Sequence, residues 1–142
     1  MLKTLNVLHT PDLLHALASM GHGDEIVLVD CHFPSVSVAR RLVRLDGASL
    51  PEAVAACLHL MPLDTFVPHP ALRMMQVHAP EEVPEVQQLC QQKIDAAENK
   101  HLEMVGISRE DFYERARAAY AVVATGDRRT YGCILLKKGV VL

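Results

Sequence analysis

Polar and apolar positions along the chain follow two periods, one helical and one extended, and they alternate. In HTPDLLHALASMGHG, residues 9 to 23, Leu13, Leu14, Leu17 and Ala18 recur at three- to four-residue spacing and form one helix face. Thr10 suits the N-cap, Pro11 the first helical position and Asp12 the positive helix end. Gly21 stands where a helix stops. EIVLVD follows as a short unbroken apolar run. Its length and β-branching predict a strand buried on both faces, as in a parallel sheet.

The alternation continues. SLPEAVAACLHL opens with a capping box, Ser49 to Glu52, and predicts a helix. Pro62, Pro68 and Pro70 break the chain into loop and edge. LRMMQVH predicts a strand. PEEVPEVQQLCQQKIDAAENK predicts a helix with Val83, Val86, Cys90, Ile94 and Ala97 along one side. SREDFYERARAA starts at a Ser108 cap, with Asp111 three residues on. YAVVATG is a strong strand, GDRRTYG a turn, and CILLKKG a closing strand, its lysines on a solvated edge. The reading is a single α/β domain over residues 1–142. It has three layers, α/β/α, and a mostly parallel, mixed sheet. The short link before the last strand requires at least one antiparallel strand.

Composition narrows the function classes. The net charge of -3 lacks the clustered basic excess of a nucleic-acid surface, and with no Trp and 4% aromatics there is little to stack bases on. No apolar run approaches a membrane span, and MLKTLNVLHT lacks the core and cleavage site of a secretory signal. Cys31, Cys57, Cys90 and Cys133 are scattered without a C-x-x-C pair, which points to reduced thiols and a cytoplasmic location.

The densest chemistry lies in MGHGDEIVLVDCHFP, residues 20 to 34. Asp30 sits beyond the carboxyl end of a strand, where open α/β sheets collect ligands. His22 sits at that strand's other end. The two share a site only if the loop folds back or two subunits meet. His22 also reads as a residue favourable at a helix C-terminus, and Asp30 as the cap of a following turn. A zinc site built from His22, Asp24, Asp30 and His32 is a further reading, but the spacing matches no metal motif. Arg109 stands at a helix start, where the dipole disfavours a cation; a fork of donors aimed at an anion or polyol accounts for it. Tyr131-Gly132 offers a phenol and a bare backbone to a small ligand, or is merely an aromatic before a turn glycine.

Four segments in order, MGHGDEIVLVDCHFP, DGASLPEAVAACLHLMPLDTFV, FYERARAAYAVVATG and YGCILLKKGV, together resemble the sugar mutarotase family of fucose mutarotases and ribose pyranases. GHGDEI with HFP resembles the fucose branch. The resemblance implies interconversion of the α and β anomers of a reducing monosaccharide, L-fucose before others, with no metal and no organic cofactor. It implies catalytic roles for His22 and for Asp30, an acid at the sugar, and sugar contacts from Asp30, Arg109, Tyr131, Gly132 and Cys133. Cys133 departs from the family pattern, which usually has asparagine there. The resemblance also implies a ring-shaped homo-oligomer, a decamer, with sites near subunit contacts.

Overall fold

The computed structural model describes all of Met1–Leu142. In chain order the elements are α1 (Pro11–Ser19), β1 (Glu25–Val29), α2 (Ser35–Val38), β2 (Leu42–Leu45), α3 (Leu50–Leu60), β3 (Ala71–Met74), α4 (Glu85–Glu98), β4 (Val105–Ile107), α5 (Arg109–Ala118), β5 (Ala121–Thr125) and β6 (Cys133–Lys137). The strands form one sheet ordered β2-β5-β1-β6-β3-β4. Neighbours pair in parallel except β6, which runs antiparallel to both β1 and β3. The closing strand is thus antiparallel, as the short link requires. It does not form a hairpin with β5, because β1 lies between them.

The period-two alternation of β1 explains the layers. Ile26 and Leu28 pack with Leu13 and Leu17 of α1, Ala53 and Val54 of α3, and Cys90 and Ile94 of α4. Val27 and Val29 point the other way, onto Phe112 and Ala116 of α5 and Phe33 before α2. The central strands are buried on both faces because helices cover both.

Helix termini follow their sequence signals. The hydroxyls of Thr10, Ser49 and Ser108 accept the expected backbone N–H groups, and the Ser49–Glu52 capping box is complete. Two expectations change. LRMMQVH is extended only to Met74, beyond which the chain leaves the sheet. Lys138 is not a solvated edge residue: its ammonium caps α1 by donating to Leu17 O (2.7 Å) and Met20 O (2.6 Å). The last four carbonyls of a helix lack intrahelical partners, and a lysine beside this end satisfies two carbonyls there.

Candidate active site

The carboxyl ends of β1, β3 and β4 and the start of β6 surround a cleft of about 230 Å³. Asp30, Arg109, Tyr131 and Cys133 line it, with His32, Phe33, Met74 and Tyr113. The sequence separation between these residues is large, and the sheet brings them together because β6 runs back alongside β1. A larger hollow of about 540 Å³ is also lined by Asp30, but its other two charged side chains, Arg44 and Asp46, pair with each other.

Asp30 is the hub. One carboxylate oxygen accepts the backbone N–H groups of His32 (2.9 Å) and Phe33 (3.1 Å). The other accepts the Gly132 N–H at 3.0 Å and lies 3.9 Å from the Cys133 thiol. The turn-capping reading of Asp30 therefore holds, and the same carboxylate also ties β1 to the start of β6. Burial pushes its pKa up, opposed by the backbone donors of His32, Gly132 and Phe33. A Cβ on Gly132 would come within 3.1 Å of Asp30 Cβ, so this close approach favours a bare backbone. Burial, then the Asp30 charge, keeps the Cys133 thiol protonated by raising its pKa well above normal.

Tyr131 holds a left-handed backbone at φ 59°, a conformation that costs a non-glycine residue about 1–2 kcal/mol. Gln87 of α4, wholly buried, offsets this by donating Nε2 to Tyr131 O (2.8 Å) and Met74 O (2.7 Å). Arg73 donates to the Gln87 side-chain oxygen at 3.3 Å. The Tyr131 hydroxyl accepts the Val77 N–H at 3.2 Å, leaving its own proton to donate into the cleft. Gln87 escapes sequence reasoning because nothing marks one glutamine among four on α4 as the buried one. The Arg109 guanidinium stacks over Tyr113, 4.6 Å from the ring centroid, and this stacking holds it at the cleft despite the helix dipole.

His22 is elsewhere. It precedes β1 while Asp30 follows it, and five extended residues span about 17 Å. Its Nε2 lies 3.0 Å from Asp64 Oδ1, and its ring meets Phe66 edge-on at 4.7 Å. Asp64 also accepts the Phe66 N–H at 3.0 Å. That bond, then the imidazole, lowers the Asp64 pKa. The His22 loop is fixed by Gly23 N–H to Lys138 O (2.8 Å), Lys138 N–H to Asp24 O (2.8 Å) and Gly21 N–H to Asp24 Oδ2 (2.8 Å). Gly23 takes φ +87°, which a glycine supplies without strain. His22, Asp24, Asp30 and His32 do not converge as the zinc reading requires; His32 instead meets Arg128 O at 3.0 Å. No helix is long and apolar enough to cross a membrane.

Comparisons with known proteins bear on this arrangement. The chain is 41% identical over 140 residues to the L-fucose mutarotase of Histophilus somni (strain 2336), covering 99% of this chain and 97% of that protein. The crystal structure of the fucose mutarotase from Streptococcus pneumoniae in complex with L-fucose superposes with a TM-score of 0.92 at 43% identity. That match covers 99% of this chain and 100% of the other. FucU from Bifidobacterium longum superposes with a TM-score of 0.90 at 34% identity, over 97% and 99% of the two chains. The sequence pattern of the RbsD / FucU transport protein family matches residues 3–141, and with an α/β sheet of matching shape throughout, the chain belongs to that family.

Proposed function

We propose that this protein is an L-fucose mutarotase, an isomerase that interconverts the α and β anomers of the sugar. The observation that carries the reading is full-length likeness, at 41% and 43% identity, to two fucose mutarotases, one of them holding L-fucose. The cleft at Asp30 supports it. Asp30, Arg109 and the Tyr131 hydroxyl offer one acceptor and two kinds of donor around a partly apolar floor of Phe33, Met74 and Cys133. A 6-deoxy sugar, with hydroxyls and one methyl, matches that mixture.

Anomer exchange opens the hemiacetal and recloses it on the other face. A base takes the proton of the anomeric hydroxyl as the bond from the anomeric carbon to the ring oxygen breaks. The electron pair goes to the ring oxygen, which receives a proton from an acid or water. The free aldehyde then turns, and the steps reverse. Histidine serves either direction near neutrality, and such help contributes about 100- to 10,000-fold. We assign it to His22. Because His22 and Asp30 lie at opposite ends of β1 within one chain, the sugar at Asp30 receives His22 from a neighbouring copy. A closed homo-oligomer in which each cleft faces a neighbour's His22 loop satisfies this. The exposed Phe66 beside His22 is the kind of apolar surface such a contact covers. Four free cysteines fit the reducing cytoplasm, where we place the protein.

NMR magnetisation transfer between anomers of L-fucose, D-ribose, D-galactose and D-glucose tests the reading. Exchange of L-fucose should be accelerated above its spontaneous rate, and His22→Ala should abolish the acceleration in a folded protein. No acceleration for any of the sugars overturns the assignment in favour of a binding protein; acceleration of ribose alone moves the substrate.

A further inference from the structure

Gln87 lies in the first turn of α4, and its side chain is wholly buried. The partners of its amide dictate which way it points. The carbonyls of Met74 and Tyr131 only accept, so the atom 2.7 and 2.8 Å from them is the amide nitrogen. Arg73 only donates, so the amide oxygen is the atom that meets its guanidinium at 3.3 Å. Both N–H groups of one side chain therefore go to two segments that line the cleft, the exit of β3 at Met74 and the approach to β6 at Tyr131.

One of these bonds acts on a peptide unit that is also held from its other edge. The carbonyl of the Tyr131–Gly132 peptide takes Gln87 Nε2, while its N–H goes to Asp30 Oδ2 at 3.0 Å. In a trans peptide the two groups point in opposite directions, so the plane is clamped between α4 and the end of β1. Tyr131, at φ 59°, occupies a backbone region that side chains rarely adopt, and it persists there because its surroundings hold it. The Tyr131 hydroxyl accepts the Val77 N–H at 3.2 Å, so the place of the phenol depends on the same stretch of backbone.

Resting on the reading of this cleft as the fucose site, we propose that Gln87 is a positioning residue for sugar binding: it clamps the Tyr131–Gly132 peptide against Asp30 and so sets where the Tyr131 phenol and the Asp30 carboxylate meet the sugar. Gln87 is buried and does not touch sugar itself. Its loss takes a partner from two buried carbonyls, frees the peptide to rotate and withdraws the Gly132 N–H from Asp30. His22, assigned above as the proton-transfer group, lies at the other end of β1 and is left in place. The contacts that suffer hold sugar and transition state alike, so KM should move and kcat should not.

Gln87→Met keeps the length of the side chain and removes its amide. Ile94→Ala, a core truncation on the same helix, serves as a control for general softening. Magnetisation transfer over a range of L-fucose concentrations should give Gln87→Met a KM raised about tenfold or more, with kcat within about threefold of wild type. Ile94→Ala should keep the wild-type KM. In amide hydrogen exchange the Gly132 N–H should be protected in wild type, and in Gln87→Met it should lose about tenfold more protection than the amides of β1 do. Should Gln87→Met fail to fold, Gln87→Asn, its amide one methylene short of both carbonyls, carries the same expectations. A wild-type KM in the Gln87 variant overturns the proposal, as does an equal rise in Ile94→Ala. A Gly132 amide that exchanges freely in wild type overturns it whatever the variants do. If wild type accelerates no sugar, the mutarotase reading fails by itself, and Gln87 is judged on the dissociation constant for L-fucose, which should rise about tenfold in Gln87→Met. Absence of L-fucose binding by wild type overturns both.

Discussion

His22 and Asp30 bracket β1, one before Glu25 and the other after Val29, so no single chain presents both to one sugar. With His22 as the proposed proton-transfer group, this geometry predicts that activity is divisible between copies. His22→Ala and Arg109→Ala, each inactive alone, should complement when co-expressed. With random mixing, about a quarter of the junctions between copies join an intact His22 to an intact cleft. Activity should return to about that fraction of wild type. A mixture as inactive as its parents would place both groups in one copy and require the His22 loop to fold back.

The parts of this arrangement that were legible in the sequence are those set by local pattern. The α1 face, the capping box at Ser49 and the buried run of β1 announce themselves over four or more residues. The edge strands do not. β2 is four residues with Arg44 exposed, and β4 is three half-buried residues, too short for either to show a period. Asp30 was legible because it follows a strong strand. Its partnership with Gly132 was not, since 102 residues separate them and only the sheet order joins them. Asp64 lies in a proline-broken tract 42 residues from His22 and carries no motif. Lys138 looked solvated because a basic pair at a strand end usually is; the end of α1, lacking a basic residue of its own, draws it in.

Lys138 ties three segments together, so its loss should be felt in both stability and rate. Lys138→Met removes two charge-assisted bonds to Leu17 and Met20 and leaves those carbonyls unpartnered. We expect about 2 kcal/mol of destabilisation in urea at fixed protein concentration, since bonds to charged groups contribute about 1.5–3 kcal/mol each and water recovers part. Fucose exchange should fall with it, because the same residue's backbone holds Gly23 and Asp24 around His22. A loss under about 0.5 kcal/mol, the range of ordinary surface substitutions, would show that the cap is replaceable.

Asp127 and Arg129 make stability depend on acid. Arg129 donates Nη2 to Asp127 Oδ2 at 2.7 Å and Nε to Oδ1 at 3.0 Å, while Leu50 N–H donates to Oδ2 at 2.9 Å. The guanidinium first, then the backbone donors, lowers the carboxyl to about 2 from an ordinary 3.8. A depressed folded-state pKa stabilises above the unfolded value and is lost as pH falls through the folded one. The stabilisation is therefore complete above about pH 5 and disappears between about pH 4 and 2. Because the guanidinium is 41% exposed, solvent screening leaves about 1 kcal/mol. Asp127→Asn should be less stable than wild type at pH 6 by about that amount, with the gap closing toward pH 2 in urea titrations. A gap independent of pH would mean that the ion pair contributes nothing.

Cys133 is where the chain leaves the family pattern, and its surroundings fix what a substitution there should do. The thiol is buried against Asp30 Oδ2, an oxygen already holding the Gly132 N–H. It remains protonated and is a weak donor. In Cys133→Asn an amide N–H takes the thiol's place toward Asp30, a stronger bond, while the amide oxygen adds an acceptor at the cleft wall. Against this, the added polar group must be desolvated beside Phe33 and Met74. The two effects oppose one another, each near the net value of a neutral hydrogen bond, about 0.5–1.5 kcal/mol. The contacts to fucose proposed for Tyr131, Gly132 and Arg109 are unchanged by the substitution. We therefore expect the fucose exchange rate of Cys133→Asn, measured by magnetisation transfer at subsaturating sugar, to stay within about threefold of wild type, a change of about 0.6 kcal/mol. A gain of about tenfold would show that the side chain at 133 contacts the sugar and that the thiol leaves one hydroxyl unsatisfied. A gain of that size confined to another sugar in the panel would identify that sugar, and not L-fucose, as the one that an amide at this position serves.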